Sequence, residues 1–185
     1  MDDVFSLELF AKNLGYLNFS KMKNTTLLLG SNLEPRLGKL FEAVYHIRRQ
    51  AGEVVKASTV YESEPWGFDS QHPFLNQALI IETRLSPLSL LEMLQQIEKE
   101  LGRTPEKEPN GYADRVIDLD ILFYDDQIVE TDELTIPHKL LQERRFTLVP
   151  LAEIADDIIH PVFNKTIRQL LDDCPDTSKV YPLWD

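Results

Sequence analysis

Apolar residues recur along this chain in two rhythms. Leu37, Leu40, Phe41, Val44 and Ile47 are spaced by one or three, with one face repeating every turn, which predicts an amphipathic helix. Leu90, Leu91, Leu94, Ile97 and Leu101 repeat that pattern. Pro35 is expected in the first turn of the first helix, and Ser86-Pro87 opens the second as N-cap and first-turn proline. Gly52 and Gly102 stand where helices end. Strand-length apolar runs at 25–29, 54–61, 76–85 and 115–124 alternate with these helices, giving the order strand, helix, strand, strand, helix, strand. Downstream, Asp125-Asp126 predicts a turn into a hairpin strand at 127–130. A closing helix at 164–172 turns Ile167, Leu170 and Leu171 inward, and a tail follows. Upstream, Leu7, Phe10, Ala11 and Leu14 have helical spacing. Residues 1–23 read as an N-terminal extension of unknown role, an appendage ahead of a single domain at 24–185.

The last of the four main runs is unusual. Residues 115–124, RVIDLDILFY, have the Val, Ile, Leu and aromatic content of a buried strand but carry Asp118 and Asp120 in the middle. Residues two apart share a side, so the carboxylates project together with Cβ atoms roughly 6.5–7 Å apart. Val116, Leu122 and Tyr124 are expected on that side, with Ile117, Leu119, Ile121 and Phe123 facing the core. At an effective dielectric near 20 the two charges repel by roughly 2 kcal/mol, and burial adds more. A cation removes both penalties. Mg²⁺, a hard ion that accepts one or two protein carboxylates and completes its shell with phosphates and water, suits the pair. The competing reading is an edge strand whose acidic side is merely wet.

Composition narrows the partners. Of 185 residues, 19 are Lys or Arg and 31 Asp or Glu, a net charge of −12, which excludes general affinity for nucleic acid or anionic membrane. Between Arg103 and Arg145 six basic residues face eleven acidic ones, so a phosphate ligand would be met by individual cations. One cysteine, Cys174, allows no intrachain disulfide and fits a reducing cytoplasm. No apolar run is long enough to span a bilayer, and Asp2 and Asp3 stand where a secretory signal would be positive. No obligate protein partner is indicated.

Three connecting segments carry further chemistry. Residues 63–76, SEPWGFDSQHPFLN, are too aromatic for an ordinary loop and could line a slot for a flat heteroaromatic ligand or simply anchor the loop. Residues 103–114, polar and broken by prolines, read as a long lid-like loop leading into the Asp-x-Asp strand. Residues 134–154 gather His138, Lys139, Arg144 and Arg145 beside Phe146 as candidate phosphate ligands. Gln95 and Glu98, one turn apart beside the second helix's apolar stripe, read on their own as solvated helix residues.

In order and spacing, LLLGSNL at 27–33, PWGF and PFLN within 65–76, ELGR at 100–103, DRVIDLDILFY at 114–124, and LTIPH and RRF within 134–146 resemble the 6-hydroxymethyl-7,8-dihydropterin pyrophosphokinases. The resemblance covers roughly residues 25–172. It implies an α+β, ferredoxin-like core, a mainly antiparallel sheet with helices on both faces. It also implies transfer of diphosphate from ATP to the pterin's hydroxymethyl group, releasing AMP, in folate biosynthesis. By the same resemblance Asp118 and Asp120 would hold two Mg²⁺ ions, Arg103 and Arg115 would meet the phosphates, and Gln95, Glu98, His138 and Arg144 would contact ATP. The pterin would lie between Phe74 and Phe146, hydrogen-bonded to Asn76, with backbone near Ser63, Pro65 and Trp66 along its polar edge. Two departures stand out: NGYADR replaces the Arg-Trp-Gly-Pro-Arg run usual in the lid, and Lys139 follows the histidine where an aromatic is common. The alternatives are another Mg-dependent nucleotidyl transferase, which needs no second stacking slot, and a non-enzymatic ferredoxin-like binding module.

Overall fold

The computed structural model describes residues 21–104 and 113–184; the N-terminal helix expected near residue 10 and most of the lid lie outside them. Strand β1 (Lys23–Ser31) leads into helix α1 (Arg36–Gln50), then β2 (Glu53–Ala57), β3 (Tyr61–Ser63) and β4 (Phe74–Thr83). Helix α2 (Pro87–Glu100) precedes β5 (Asp118–Tyr124). After β6 (Val129–Glu130) and β7 (Thr135–Ile136) come a 3₁₀ turn (Leu141–Glu143), helix α3 (Arg145–Ala155), β8 (Ile159–His160), β9 (Lys165–Thr166), helix α4 (Ile167–Asp172) and β10 (Val180–Pro182). The main sheet runs β10-β3-β4-β1-β5, with β2 also beside β4, and every pairing is antiparallel. The chain is thus an α+β fold.

Each face of the sheet has its own apolar layer. Leu27, Leu29, Leu79, Ile81, Leu119 and Ile121 pack under Leu40, Ala43 and Ile47 of α1 and Leu90, Leu94 and Ile97 of α2. On the other face Leu28, Ala78, Leu122 and Phe123 meet Leu148, Leu151 and Ala152 of α3 and Ile167 and Leu170 of α4. Simple alternation along β5 therefore fails after Leu122. Thr26 pairs with Phe123 but Leu27 with Ile121, so Leu122 is the extra residue of a β-bulge. The shift sends Phe123 to the α3/α4 face and Tyr124 to the α1/α2 face, opposite to the expected assignment.

Other local expectations change for identifiable reasons. Pro35 caps α1 and lies just outside it. Gly52 does follow the end of α1, its N–H donating to the Ile47 carbonyl at 3.1 Å, but without a positive φ; what demands glycine there is a close approach, since a Cβ would lie 2.4 Å from the Glu82 carbonyl oxygen. The single strand expected at 54–61 is two short strands, both on β4, with a register shift between Val54 and Lys56. Val129–Glu130 pairs with β7. The segment before α4 forms the β8–β9 hairpin, and what reads as a tail includes β10, which joins the main sheet beside β3.

Candidate active site

Register places the candidate residues in rows. Gly30 on β1 faces Asn76 on β4 and Asp118 on β5, and one step along Leu28 faces Ala78 and Asp120. Because Leu28 and Ala78 belong to the α3/α4 side, both carboxylates point to that side, beyond the point where the apolar cover ends. Gly30, lacking a side chain, keeps an open floor between Asn76 and Asp118; a Cβ there would come within 3.4 Å of Asn76 Oδ1 and 4.0 Å of Asp118 Cβ.

Over this floor lies a cavity of about 310 Å³. Asp118, Asp120, Arg115, His138, Lys139 and Arg144 line its charged half. Ser63, Trp66, Phe68, Phe74, Asn76 and Phe146 line the other. Phe74 packs edge-on against Phe68, centroids 6.2 Å apart, and Phe146 lies 6.4 Å from Trp66. Asn76, 2% exposed, donates from Nδ2 to Ser63 Oγ at 2.9 Å, which fixes which end of the amide faces the slot. Of the sequence-predicted residues, Pro65 flanks the lining, Glu98 and Arg103 stand behind Asp118, and Gln95 is exposed on α2 away from the lining.

The two aspartates have different surroundings. Asp118 Oδ1 pairs with Arg103 Nη1 at 2.7 Å and Oδ2 with Arg115 Nη1 at 2.5 Å. Arg103 also bonds Glu98, whose Oε1 accepts from the Leu119 backbone N–H at 2.8 Å. Glu98 is accordingly not solvated; it is 6% exposed and ties the end of α2 to β5. Burial, against the pull of Arg103 and with the push of Asp118, raises its carboxyl to about 7. Asp120 has no ion pair among the described residues. Burial first and the charge of Asp118 second raise it to about 7 as well, with Arg144 opposing. His138 is driven down to about 4, by burial and then by Arg144, so at neutral pH it is uncharged. Its Nδ1 accepts from the Leu140 N–H at 3.4 Å, which leaves Nε2 as the ring's donor.

These features fit a divalent cation. A carboxyl whose ionisation is made costly by burial and then by a like-charged neighbour is a group that a cation would ionise fully. Among the described residues no three or more His, Cys, Asp or Glu side chains form a metal cage, so an ion on this pair would draw its other ligands from phosphate oxygens and water.

A second hub was not legible as more than a turn. Asn32, 1% exposed, donates from Nδ2 to Asp114 Oδ1 at 2.6 Å and to the His72 carbonyl at 3.3 Å, and its Oδ1 accepts from Arg115 N at 2.6 Å. Ser70 Oγ also donates to Asp114 Oδ1 at 2.6 Å, and Ser31 Oγ to the Val116 carbonyl at 2.6 Å. The turn after β1 therefore joins the aromatic loop to the segment that carries Arg115. Gly-Ser-Asn after an apolar strand was the only available signal.

Comparison with known proteins decides the family. The 7,8-dihydro-6-hydroxymethylpterin-pyrophosphokinase family model matches residues 26–156. The chain belongs to this family. A 2-amino-4-hydroxy-6-hydroxymethyldihydropteridine pyrophosphokinase of Aquifex aeolicus is 40% identical over 148 residues, 80% of this chain and 90% of that protein. One from Bacillus subtilis is 44% identical over 131 residues, 70% of this chain and 77% of that one. The folic acid synthesis protein fol1 of Schizosaccharomyces pombe is 38% identical over 170 residues, 90% of this chain but 22% of the yeast protein. Among solved structures, wild-type Plasmodium falciparum HPPK-DHPS superposes with a TM-score of 0.67 at 17% identity, over 85% of this chain and 45% of that one, a likeness of fold. Relatives thus include chains of similar length and much longer ones in which this unit is a part.

Proposed function

We propose that this pyrophosphokinase transfers the diphosphate of ATP to the hydroxymethyl group of 6-hydroxymethyl-7,8-dihydropterin, releasing AMP and supplying folate biosynthesis. One observation carries the residue-level reading: a single cavity joins a carboxylate pair facing one way with an aromatic slot whose floor carries Asn76. A nucleotidyl transferase has no use for the second half, and a passive binding module none for two crowded carboxylates.

The pterin ring lies in the slot bounded by Phe74 and Phe146, its polar edge against Asn76 and the backbone at 63–66. The hydroxymethyl oxygen thereby points to the charged half, in line with the bond between the β-phosphorus and the leaving AMP oxygen. Asp118 and Asp120 would hold Mg²⁺, two ions in this reading, which supplies phosphate orientation and charge neutralisation when bound. Arg103 and Arg115, which cover Asp118 in the free protein, turn to the phosphates. Arg144 and neutral His138 contribute donors from the opposite wall, and Gln95 and Glu98 complete the nucleotide contacts from α2.

The strand order β2/β3-β4-β1-β5, with α1 and α2 on one face, supports reading the core as ferredoxin-like, with α3 and α4 added to the other face. Residues 24–185 act as one unit and 1–23 as an extension. No helix among the described residues is long and apolar enough to cross a membrane, and a lone thiol, Cys174, supports a reducing cytoplasm.

The test is product identification. The protein is incubated with Mg²⁺, ATP and 6-hydroxymethyl-7,8-dihydropterin, and the nucleotides are separated by chromatography. AMP formed only when pterin is present is the expected result. ADP, or no turnover by folded protein, overturns the assignment.

A further inference from the structure

Arg144 occupies an improbable place. It is 9% exposed and immediately precedes α3, whose N-terminus carries partial positive charge. Its backbone is fixed there: the N–H donates to Leu141 O at 3.3 Å, and the carbonyl accepts from Thr147 N at 3.1 Å and Leu148 N at 3.0 Å. A buried cation at a helix N-terminus needs compensation. Asp120 supplies part, and the π faces of two rings supply more. The guanidinium carbon lies 4.9 Å from the Trp66 centroid and 5.7 Å from that of Phe146. Trp66 reaches this place because Gly67, with φ +80°, turns the loop directly after it.

We propose that the Trp66 ring is a positioning residue for the nucleotide side of the reaction: it holds the Arg144 guanidinium by a cation–π contact, aimed at the phosphates. This goes beyond its placement along the pterin's edge and rests on the reading of Arg144 as an ATP-phosphate ligand. The contact fixes a side chain with many rotamers before ATP arrives, so a loss of the ring costs nucleotide affinity even when no pterin is present. It also couples the two halves of the cavity, because the loop that frames the pterin slot carries the ring that steadies a phosphate ligand.

The test is calorimetric titration of a non-hydrolysable ATP analogue with Mg²⁺ and without pterin. Trp66→Met, apolar and ringless, should weaken binding about tenfold, whereas Trp66→Phe should stay within about threefold of the parent. Unchanged affinity in Trp66→Met, or equal losses in both variants, overturns the proposal. A spectroscopic measurement avoids any variant at Trp66 that fails to fold. In a Trp184→Phe background, Trp66 emission should shift with analogue concentration, and Arg144→Met should remove most of the shift. No shift, or a shift that survives Arg144→Met, also overturns it. A parent protein that does not bind the analogue at all would instead refute the function on which the proposal rests.

Discussion

The two faces of the sheet are made from the same strands yet serve opposite ends. Under α1 and α2, side chains such as Leu29, Leu94 and Ile97 are fully buried and carry no chemistry. On the other face α3 and α4 cover only Leu28, Ala78, Leu122 and their neighbours, and past them the strands expose Asp118, Asp120 and Asn76 to the cavity. Alternation along β1, β4 and β5 lets one strand do both jobs, since Leu119 anchors Asp118 and Asp120 from behind. The dry face holds the frame rigid, and the wet face can then keep charges that oppose folding.

Substitutions should separate these roles. The largest stability change is expected on the dry face: Leu94→Ala should cost about 3 kcal/mol in denaturant unfolding while turnover per folded molecule stays near the parent's. An equal loss of turnover per folded molecule would show that the faces are not separable. A smaller change of opposite sign is expected from Asp120→Asn, which should stabilise the metal-free protein by about 1–2 kcal/mol near pH 8, a figure reduced for the carboxylate's partial exposure, while abolishing turnover. The sign follows from the direction of the shift. Asp120 is raised from its ordinary 3.8 to about 7, so its contribution is fully present below about pH 4 and is lost as pH rises through 7. The advantage of the variant should therefore grow between those limits. Glu98, raised in the same direction, leaves the variant a residual slope of the same sign. Unfolding midpoints for both proteins from pH 4 to 8 check this, and parallel curves would break the contrast.

Much of the site was legible because it depends on spacing. Two carboxylates two apart on an apolar strand, aromatic residues concentrated in one loop, and Arg144 two residues before Phe146 are all local patterns, and the fold brings them to one cavity. What was not legible depends on partners far away in sequence. Nothing in the Gln95/Glu98 pair says that Glu98 alone is buried; that follows from the Leu119 N–H and Arg103 reaching it. Nothing in DILFY marks Leu122 as a bulge, because the mismatch lies in its pairing with β1. Gly52 reads as the end of α1, which it is, but the Glu82 carbonyl that demands glycine there is thirty residues on, and β10 looked like a tail because its pairing partner is β3. Asn32 likewise reads as a turn residue until Asp114 and Arg115 are brought beside it.

The central claim is that Asp118 and Asp120 form a cation site for the nucleotide. Its most direct test is calorimetric binding of a non-hydrolysable ATP analogue with and without Mg²⁺, in the parent and in Asp120→Asn. The parent should bind far more tightly with Mg²⁺, and the variant should lose most of that dependence. An equal response to Mg²⁺ in both proteins would contradict the account.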